Sequence, residues 1–277
     1  MTRKIDELAT YIIHYSPLRE RAECLTSSIA WGLLKPRFIT EHSALTHPLW
    51  RQYKDASCIE VKSETMAQVS TISQILCHHA SLLSNGEYII TQPKQESRFQ
   101  GITDYQVQLF YKQALEAHSL KNLELTLQHL IALEEFTASS YTYCLILEDD
   151  SVCRDEDEIM LLLNLSKHLQ AIDVSRPCYY DVSDSMGMTP DYTQSSKNNP
   201  FIQMRNGQTR CASSYIVNRP AARILTKKKE AIVLPVDWHY SYVLRINNIA
   251  TWWAHNPIFS QGSQSNYFES NQAKRNS

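Results

Sequence analysis

Apolar positions along the chain fall into two regimes: short unbroken runs of strand length, and longer stretches where they recur three and four residues apart. Thr10-Tyr11-Ile12-Ile13-His14-Tyr15 is β-branched and aromatic and stops at Ser16-Pro17, so it reads as a first strand. A helix is expected from about Leu18, with Arg19 and Arg21 on its first turn, and Phe38-Ile39-Thr40 reads as a second strand after Pro36. From His42 to Thr103 the alternation loses its regularity, and about 42–103 is expected to be an insertion. It carries one helical stripe (Met66, Val69, Ile72, Leu76, Ala80, Leu83) that Asn85-Gly86 stops. Two helices then precede a central strand. The second has Leu123, Leu127, Leu130, Ile131 and Glu134 at helical spacing.

Tyr143-Cys144-Leu145-Ile146-Leu147 is apolar throughout, the pattern of a parallel strand covered on both faces, and it ends abruptly in Glu148-Asp149-Asp150. An amphipathic helix is predicted over Asp155 to Ile172, with acidic residues in the first turn where the helix dipole favours them. Cys178 to Val182 reads as a strand, and Ser183 to Arg210 as a long polar loop, a length that suits a lid or an unstructured segment. A strand (Ser214 to Val217), a helix opened by Pro220, a helix from about Asp237 and a strand (Ala250 to Ala254) follow, with a polar tail over 261–277. Alternation of strands and helices predicts an α/β fold in one domain spanning 1–277.

Composition narrows the chemistry. Lys plus Arg number 27 against 29 for Asp plus Glu, a balance that leaves no electrostatic footprint for nucleic acid. No apolar run approaches the ~20 residues of a membrane-spanning helix, and the amino terminus lacks a secretion signal's apolar stretch. The cysteines (24, 58, 77, 144, 153, 178, 211) are odd in number and without CxxC spacing, which suits reduced thiols and a cytoplasmic protein. Only six glycines occur, and neither GxGxxG nor a Walker loop is among them.

Glu148-Asp149-Asp150 is the sharpest signal for function. Consecutive carboxylates at the end of a buried strand are costly unless a positive group meets them. In open α/β sheets the carboxyl edge of the strands is where ligands bind. A hard divalent cation bridging a diphosphate would resolve the repulsion, and a solvated acidic turn leading into the next helix would also accommodate it. Strand alternation turns Glu148 and Asp150 one way and Asp149 the other.

The stretch Cys144-Leu-Ile-Leu-Glu-Asp-Asp-Ser-Val152 resembles the "LEDD" signature of glycosyltransferase family 25. Tyr11 to Arg21 is similar to that family's opening strand and arginine-bearing helix, and Leu127 to Leu133 to its helix upstream of the acidic motif. Ser214 to Ala222, Leu234-Pro-Val-Asp237 and Asn256 to Gln261 resemble its later segments, in order. The likeness covers roughly the first 40 residues and positions 123–265; Gln128 stands where the family has Ser, and 42–103 has no counterpart.

The resemblance implies a GT-A-type Rossmann-like sheet flanked by helices, with the inserted segment added. It implies a metal-dependent inverting transferase that moves galactose or glucose from a UDP-sugar to a glycan acceptor, such as a lipopolysaccharide or polysaccharide precursor. Mn²⁺ or Mg²⁺ would sit on the diphosphate, with Asp150 and His255 as expected metal ligands. Glu148 and Asp149 are expected at the nucleotide, with Tyr15 on the base, Ser16 through backbone and hydroxyl, and Arg19 or Arg21 on phosphate. Arg210, at the end of the long loop, would neutralise the leaving diphosphate. For the catalytic base the reading favours Asp237, which would equally serve as a helix cap or bind the acceptor; Asp181 and Asp184 compete.

The remaining candidates keep two readings each. His255 is a ligand or a structural histidine, His239 lines the acceptor site or packs, and His129 orients the acidic loop or packs. His78 and His79 are read as structural. Trp238, Trp252 and Trp253 suit sugar stacking, although Trp252 and Trp253 on one strand face opposite ways. Two other functional classes fit the motif: another metal-dependent phosphosugar or nucleotidyl enzyme, and a noncatalytic nucleotide- or glycan-binding relative. Peripheral membrane association is compatible with all three.

Overall fold

In a computed structural model, the protein is described at residues 5–26, 32, 34–53, 90–91, 120–153, 158–184, 189–190, 200–204, 209, 211–227 and 236–263. Strand β1 (Leu8–His14) is buried at every position, and β4 (Tyr143–Glu148) at all but its last. The two pair in parallel, Leu8 opposite Tyr143 and Ile13 opposite Glu148. Apolar runs without alternation mean that both faces of these strands are covered, which a central parallel pair requires.

Between them in sequence lie α1 (Arg19–Thr26), β2 (Arg37–Thr40), α2 (Glu41–Thr46), α3 (Pro48–Tyr53), β3 (Ile90–Thr91) and α4 (Leu120–Ala138). After β4 come β5 (Ser151–Cys153), α5 (Glu158–Ala171), β6 (Cys178–Asp181), β7 (Thr189–Pro190), β8 (Phe201–Met204) and β9 (Ser214–Asn218). The chain continues through α6 (Arg219–Lys227), α7 (Val236–Ile246), β10 (Ala250–Ala254) and β11 (Phe259–Gln261).

The main sheet has seven strands in the order β2-β1-β4-β9-β6-β10-β8. Strands β2, β1, β4, β6 and β10 run one way, while β9 and β8 run against their neighbours. The chain leaves β1 toward β2 on one side and returns to β4 on the other, so the strand order reverses between β1 and β4. Ligands in open α/β sheets bind outside the carboxyl ends of strands at such a reversal. Two small antiparallel pairings, β5 with β11 and β3 with β7, stand apart from this sheet.

Side-chain alternation along β4 divides the core. Leu145 and Leu147 face a cluster with Leu161, Leu165 and Leu169 of α5, whereas Cys144 and Ile146 face Leu133 and Phe136 of α4 and Leu244 of α7. The result is a helix–sheet–helix sandwich, the α/β architecture that the sequence predicts. The start of the expected insertion belongs to this packing: Ala44, Leu49 and Trp50 lie against Leu123, Leu127 and Leu130 of α4. The helix expected over Met66 to Leu83, His78, His79 and the tail from 264 lie outside the described residues. Among the described residues no helix is long and apolar enough to cross a membrane.

Two polar side chains tie the layers together. Asn218 Oδ1 accepts from the N–H groups of Ala221 and Cys178, each at 3.1 Å, while its amide donates to the carbonyls of Asp173 (2.9 Å) and Arg176. The bond to Ala221 is an N-cap for α6. The next residue, Arg219, donates to the carbonyls of Thr137 (3.0 Å), Ser139 (2.7 Å) and Tyr141, supplying partners at the carboxyl end of α4. Asn218 is fully buried. Asn218→Ala therefore orphans several backbone groups as well as uncapping α6, and is expected to cost about 2–4 kcal/mol. Urea unfolding should show a lower midpoint at unchanged slope.

Candidate functional site

The acidic turn is stapled from two sides. The Glu148 N–H donates to the Ser213 carbonyl at 2.8 Å, and the Ser151 hydroxyl donates to that same carbonyl at 3.0 Å. Ser151 and Ser214 hydroxyls meet at 2.9 Å. On the other side, β5 pairs with β11, and the Gly262 N–H donates to the Asp150 carbonyl at 2.7 Å.

Asp149 turns toward β1 and α1. His14 Nδ1 (2.9 Å) and the Tyr15 N–H (3.1 Å) donate to its Oδ2, and the Arg21 guanidinium donates to its Oδ1 at 2.7 Å. Burial pushes this carboxyl up, but the donors His14, Tyr15 and Arg21 outweigh it and hold it below the usual carboxylate range. Asp149 and Arg21, both expected at the nucleotide, are thus engaged with each other. The Ser16 N–H is also taken, by Glu41 Oε2 at 3.0 Å, which leaves the Ser16 hydroxyl as its group for a ligand. Tyr15 is half-buried beside it, and Arg19 is exposed on the first turn of α1.

Glu148 and Asp150 turn elsewhere and carry the unresolved charge. Burial pushes Glu148 up to about 7, with Asp149 adding to the effect and Arg21 opposing it. Burial and then Glu148 push Asp150 up to about 6, against the hydrogen bond from Ser263 and the pull of Arg21. Asp150 is only 4 % exposed, and its Oδ1 is buried with no hydrogen-bond partner among the described residues. Its Oδ2 accepts from the Ser263 hydroxyl. Glu148, Asp149 and Asp150 all feel the Arg21 guanidinium, and Glu41 meets the Ser16 N–H just beyond β1, so among the described residues carboxyls outnumber cations here.

His129 of α4 places its Nε2 3.5 Å from Glu148 Oε1 and its Nδ1 3.1 Å from the Tyr215 hydroxyl. Tyr215 in turn donates to the Tyr240 hydroxyl at 3.2 Å. With that hydrogen committed, His129 donates from Nδ1, which leaves Nε2 an acceptor facing Glu148. A protonated Glu148 complements it. Burial holds His129 down to about 3, with Asp237 acting in the opposite sense, so the imidazole is neutral. Gln128, one residue earlier, donates to the His14 carbonyl at 3.3 Å and joins α4 to the end of β1.

Asp237 lies half-buried in the first turn of α7, where the helix dipole favours a carboxylate, and it acts electrostatically on His129. The Thr209 hydroxyl donates to its backbone carbonyl at 3.3 Å. His255 follows β10 and is half-buried, with its N–H on the Pro200 carbonyl at 2.8 Å. Among the described residues no three His, Cys, Asp or Glu side chains are grouped to hold a metal ion, so Asp150 and His255 do not belong to a ready-made protein cage. Arg210 and the Trp238 side chain lie outside the described residues.

Other candidates resolve into packing. Trp252 stacks on Tyr180 at 6.1 Å, and Trp253 is fully buried against Met204, so the pair does face opposite ways and both rings serve the core. Asp181 is fully buried and accepts from the N–H (3.1 Å) and hydroxyl (2.8 Å) of Ser183. The Asp184 N–H donates to the Phe259 carbonyl at 3.0 Å. His239 is fully buried beside Tyr240. Sequence reasoning missed Glu41 and Ser263, since a carboxylate in a helix and a serine in a polar tail carry no local signal. The Tyr215–Tyr240 pair was equally hidden, being made across strands and helices far apart in sequence.

No known family model matches the chain, and no curated protein matches it.

Two predictions follow from the charges. Asp149→Ala leaves the Arg21 guanidinium buried without its partner and is expected to cost about 3–5 kcal/mol, read as a lower urea midpoint. Glu148 and Asp150, raised when folded, bind protons that the unfolded chain releases between about pH 4 and 7, so their contribution falls as pH rises. His129 works oppositely: it must charge on unfolding below pH 6.5, so its contribution rises with pH over the same window. Asp149 is constant there, because its stabilisation is lost only as pH falls through its lowered folded value. Glu148→Gln removes a falling component, so its gain over the wild type should be greater at pH 7.5 than at pH 4.5 by about 1 kcal/mol or more. An equal gain at both pH values would refute the assignment.

Proposed function

We propose that the protein is a metal-dependent inverting glycosyltransferase of GT-A type, moving galactose or glucose from a UDP-sugar to a glycan acceptor. The observation that carries this reading is Asp150: a buried carboxylate oxygen without a partner among the described residues, on an acidic turn, at the point where the strand order reverses. The resemblance to glycosyltransferase family 25 supports the same assignment from the residues around that turn.

The donor set suits a hard divalent cation. Asp150 Oδ1 and Glu148, with His255 as the resemblance implies, would hold Mn²⁺ or Mg²⁺ against the diphosphate. When bound, that cation neutralises charge on the leaving diphosphate. A bare diphosphate would be repelled by the carboxylates gathered here, so nucleotide binding should require the cation. In this reading Tyr15 would stack on the base, and the Ser16 hydroxyl and Arg19, at the start of α1, would meet the nucleotide. Arg210 and His255 keep the roles that the resemblance implies. Asp237 would take the proton of the acceptor hydroxyl as the hydroxyl oxygen attacks the sugar's anomeric carbon from the face opposite the diphosphate, inverting it. His129 keeps a neutral ring between Glu148 and the Tyr215–Tyr240 pair, which fixes Glu148 without adding charge.

The acceptor class proposed is a polysaccharide or lipopolysaccharide precursor met in the cytoplasm or at a membrane surface. The same carboxylates would serve nucleotidyl transfer, in which pyrophosphate and not UDP is released.

In a thermal-shift series, UDP-hexoses with Mn²⁺ should stabilise the protein, by about 2.7 kcal/mol at a hundredfold excess over Kd. The stabilisation should vanish without the cation and in Asp150→Ala. Asp237→Asn should retain it while turnover falls roughly 10²–10⁴-fold. Absence of a shift with every UDP compound would overturn the proposal.

A further inference from the structure

The segment after β11 returns to the acidic turn from 113 residues away and touches one residue there twice. The Gly262 N–H donates to the Asp150 carbonyl, and the Ser263 hydroxyl donates to Asp150 Oδ2. The segment's course is well determined. Phe259 is fully buried, its N–H and that of Ile258 both donate to the Val182 carbonyl (3.2 and 3.0 Å), and Gln261 is in register with Ser151. Ser263 is therefore delivered to Asp150 by a strand pairing and not by a loose tail.

A carboxylate has a broad terminal torsion, so backbone position alone leaves open which oxygen faces outward. Here one oxygen has a donor and the other has none among the described residues, although both belong to a side chain only 4 % exposed. We propose that Ser263 is a positioning residue for the cation site: its hydroxyl holds Asp150 Oδ2, so that Oδ1 stays turned toward the ligand edge as a preset oxygen donor. Groups that orient a metal ligand from behind commonly alter metal affinity by 10–100-fold while touching no metal themselves. The inference rests on the reading of Asp150 as a cation ligand.

The test measures Mn²⁺ binding to the full chain directly, from the electron paramagnetic resonance signal of free Mn²⁺, with and without UDP. Thermal unfolding of each variant is followed in parallel. Ser263→Ala should weaken Mn²⁺ binding roughly tenfold or more with little change in Tm, because the residue is only partly buried beside the turn. Ser263→Thr keeps the hydroxyl and should bind within about threefold of the wild type. Wild-type affinity in Ser263→Ala would overturn the proposal alone, leaving the cation reading intact. Tighter binding in that variant would also overturn it, since the contact would then be blocking the oxygen. Equal weakening by Ala and Thr would assign the effect to packing and reject the hydroxyl's role. No Mn²⁺ binding by the wild type, even with UDP, would reject both the cation reading and this inference.

Discussion

The arrangement at the sheet's carboxyl edge depends on one buried ion pair, between Asp149 and Arg21. Arg21 stands on α1, Asp149 just beyond β4, and the same carboxylate also takes His14 and the Tyr15 N–H from the end of β1. A lone buried charge is strongly unfavourable, so each partner makes the other obligatory. The pairing locks the ends of the two central strands to each other and to the helix that leaves one of them. It also divides labour within the acidic turn: with Asp149 committed to the protein, the unsettled charge is left to Glu148 and Asp150.

That residual charge is what makes the edge chemically directional. Burial alone would favour neutral carboxyls at both positions, and Glu148 is matched to a neutral state by the acceptor nitrogen of His129. Asp150 has a hydroxyl donor on one oxygen and, among the described residues, none on the other. The edge therefore presents one carboxyl that burial draws toward its neutral form and another with an oxygen that accepts no hydrogen bond from the described residues. Polar groups buried without partners in a native protein call for an explanation, and the cation proposed above would supply one.

Much of this was legible along the chain. Leu145 and Leu147 stand in an unbroken apolar run, which requires cover on both faces, and the strand's abrupt end in carboxylates marked the edge. The opposite turning of Asp149 and Glu148 followed from strand geometry. Strand direction was not legible: Ser214–Asn218 reads the same parallel or antiparallel, and only its neighbours β4 and β6 settle it. The protein partners of Arg21 and the Ser16 N–H were not legible, because Asp149 and Glu41 approach them from distant segments. Trp252 and Trp253 illustrate the same limit, since a tryptophan suited to a sugar is equally suited to a core.

The antiparallel placement of β9 between β4 and β6 has a consequence for the order of events during synthesis. Until residues 214–218 leave the ribosome, β4 has only β1 beside it and exposes an apolar edge competent to pair with another nascent chain. The Glu148 N–H and the Ser151 hydroxyl also wait for Ser213, and the Asp150 carbonyl for Gly262. Closure of the acidic turn therefore rests on contacts between segments far apart in sequence, the kind that loop-closure entropy disfavours early in folding. The acidic turn thus takes its full set of backbone partners only once the chain has been made as far as Gly262.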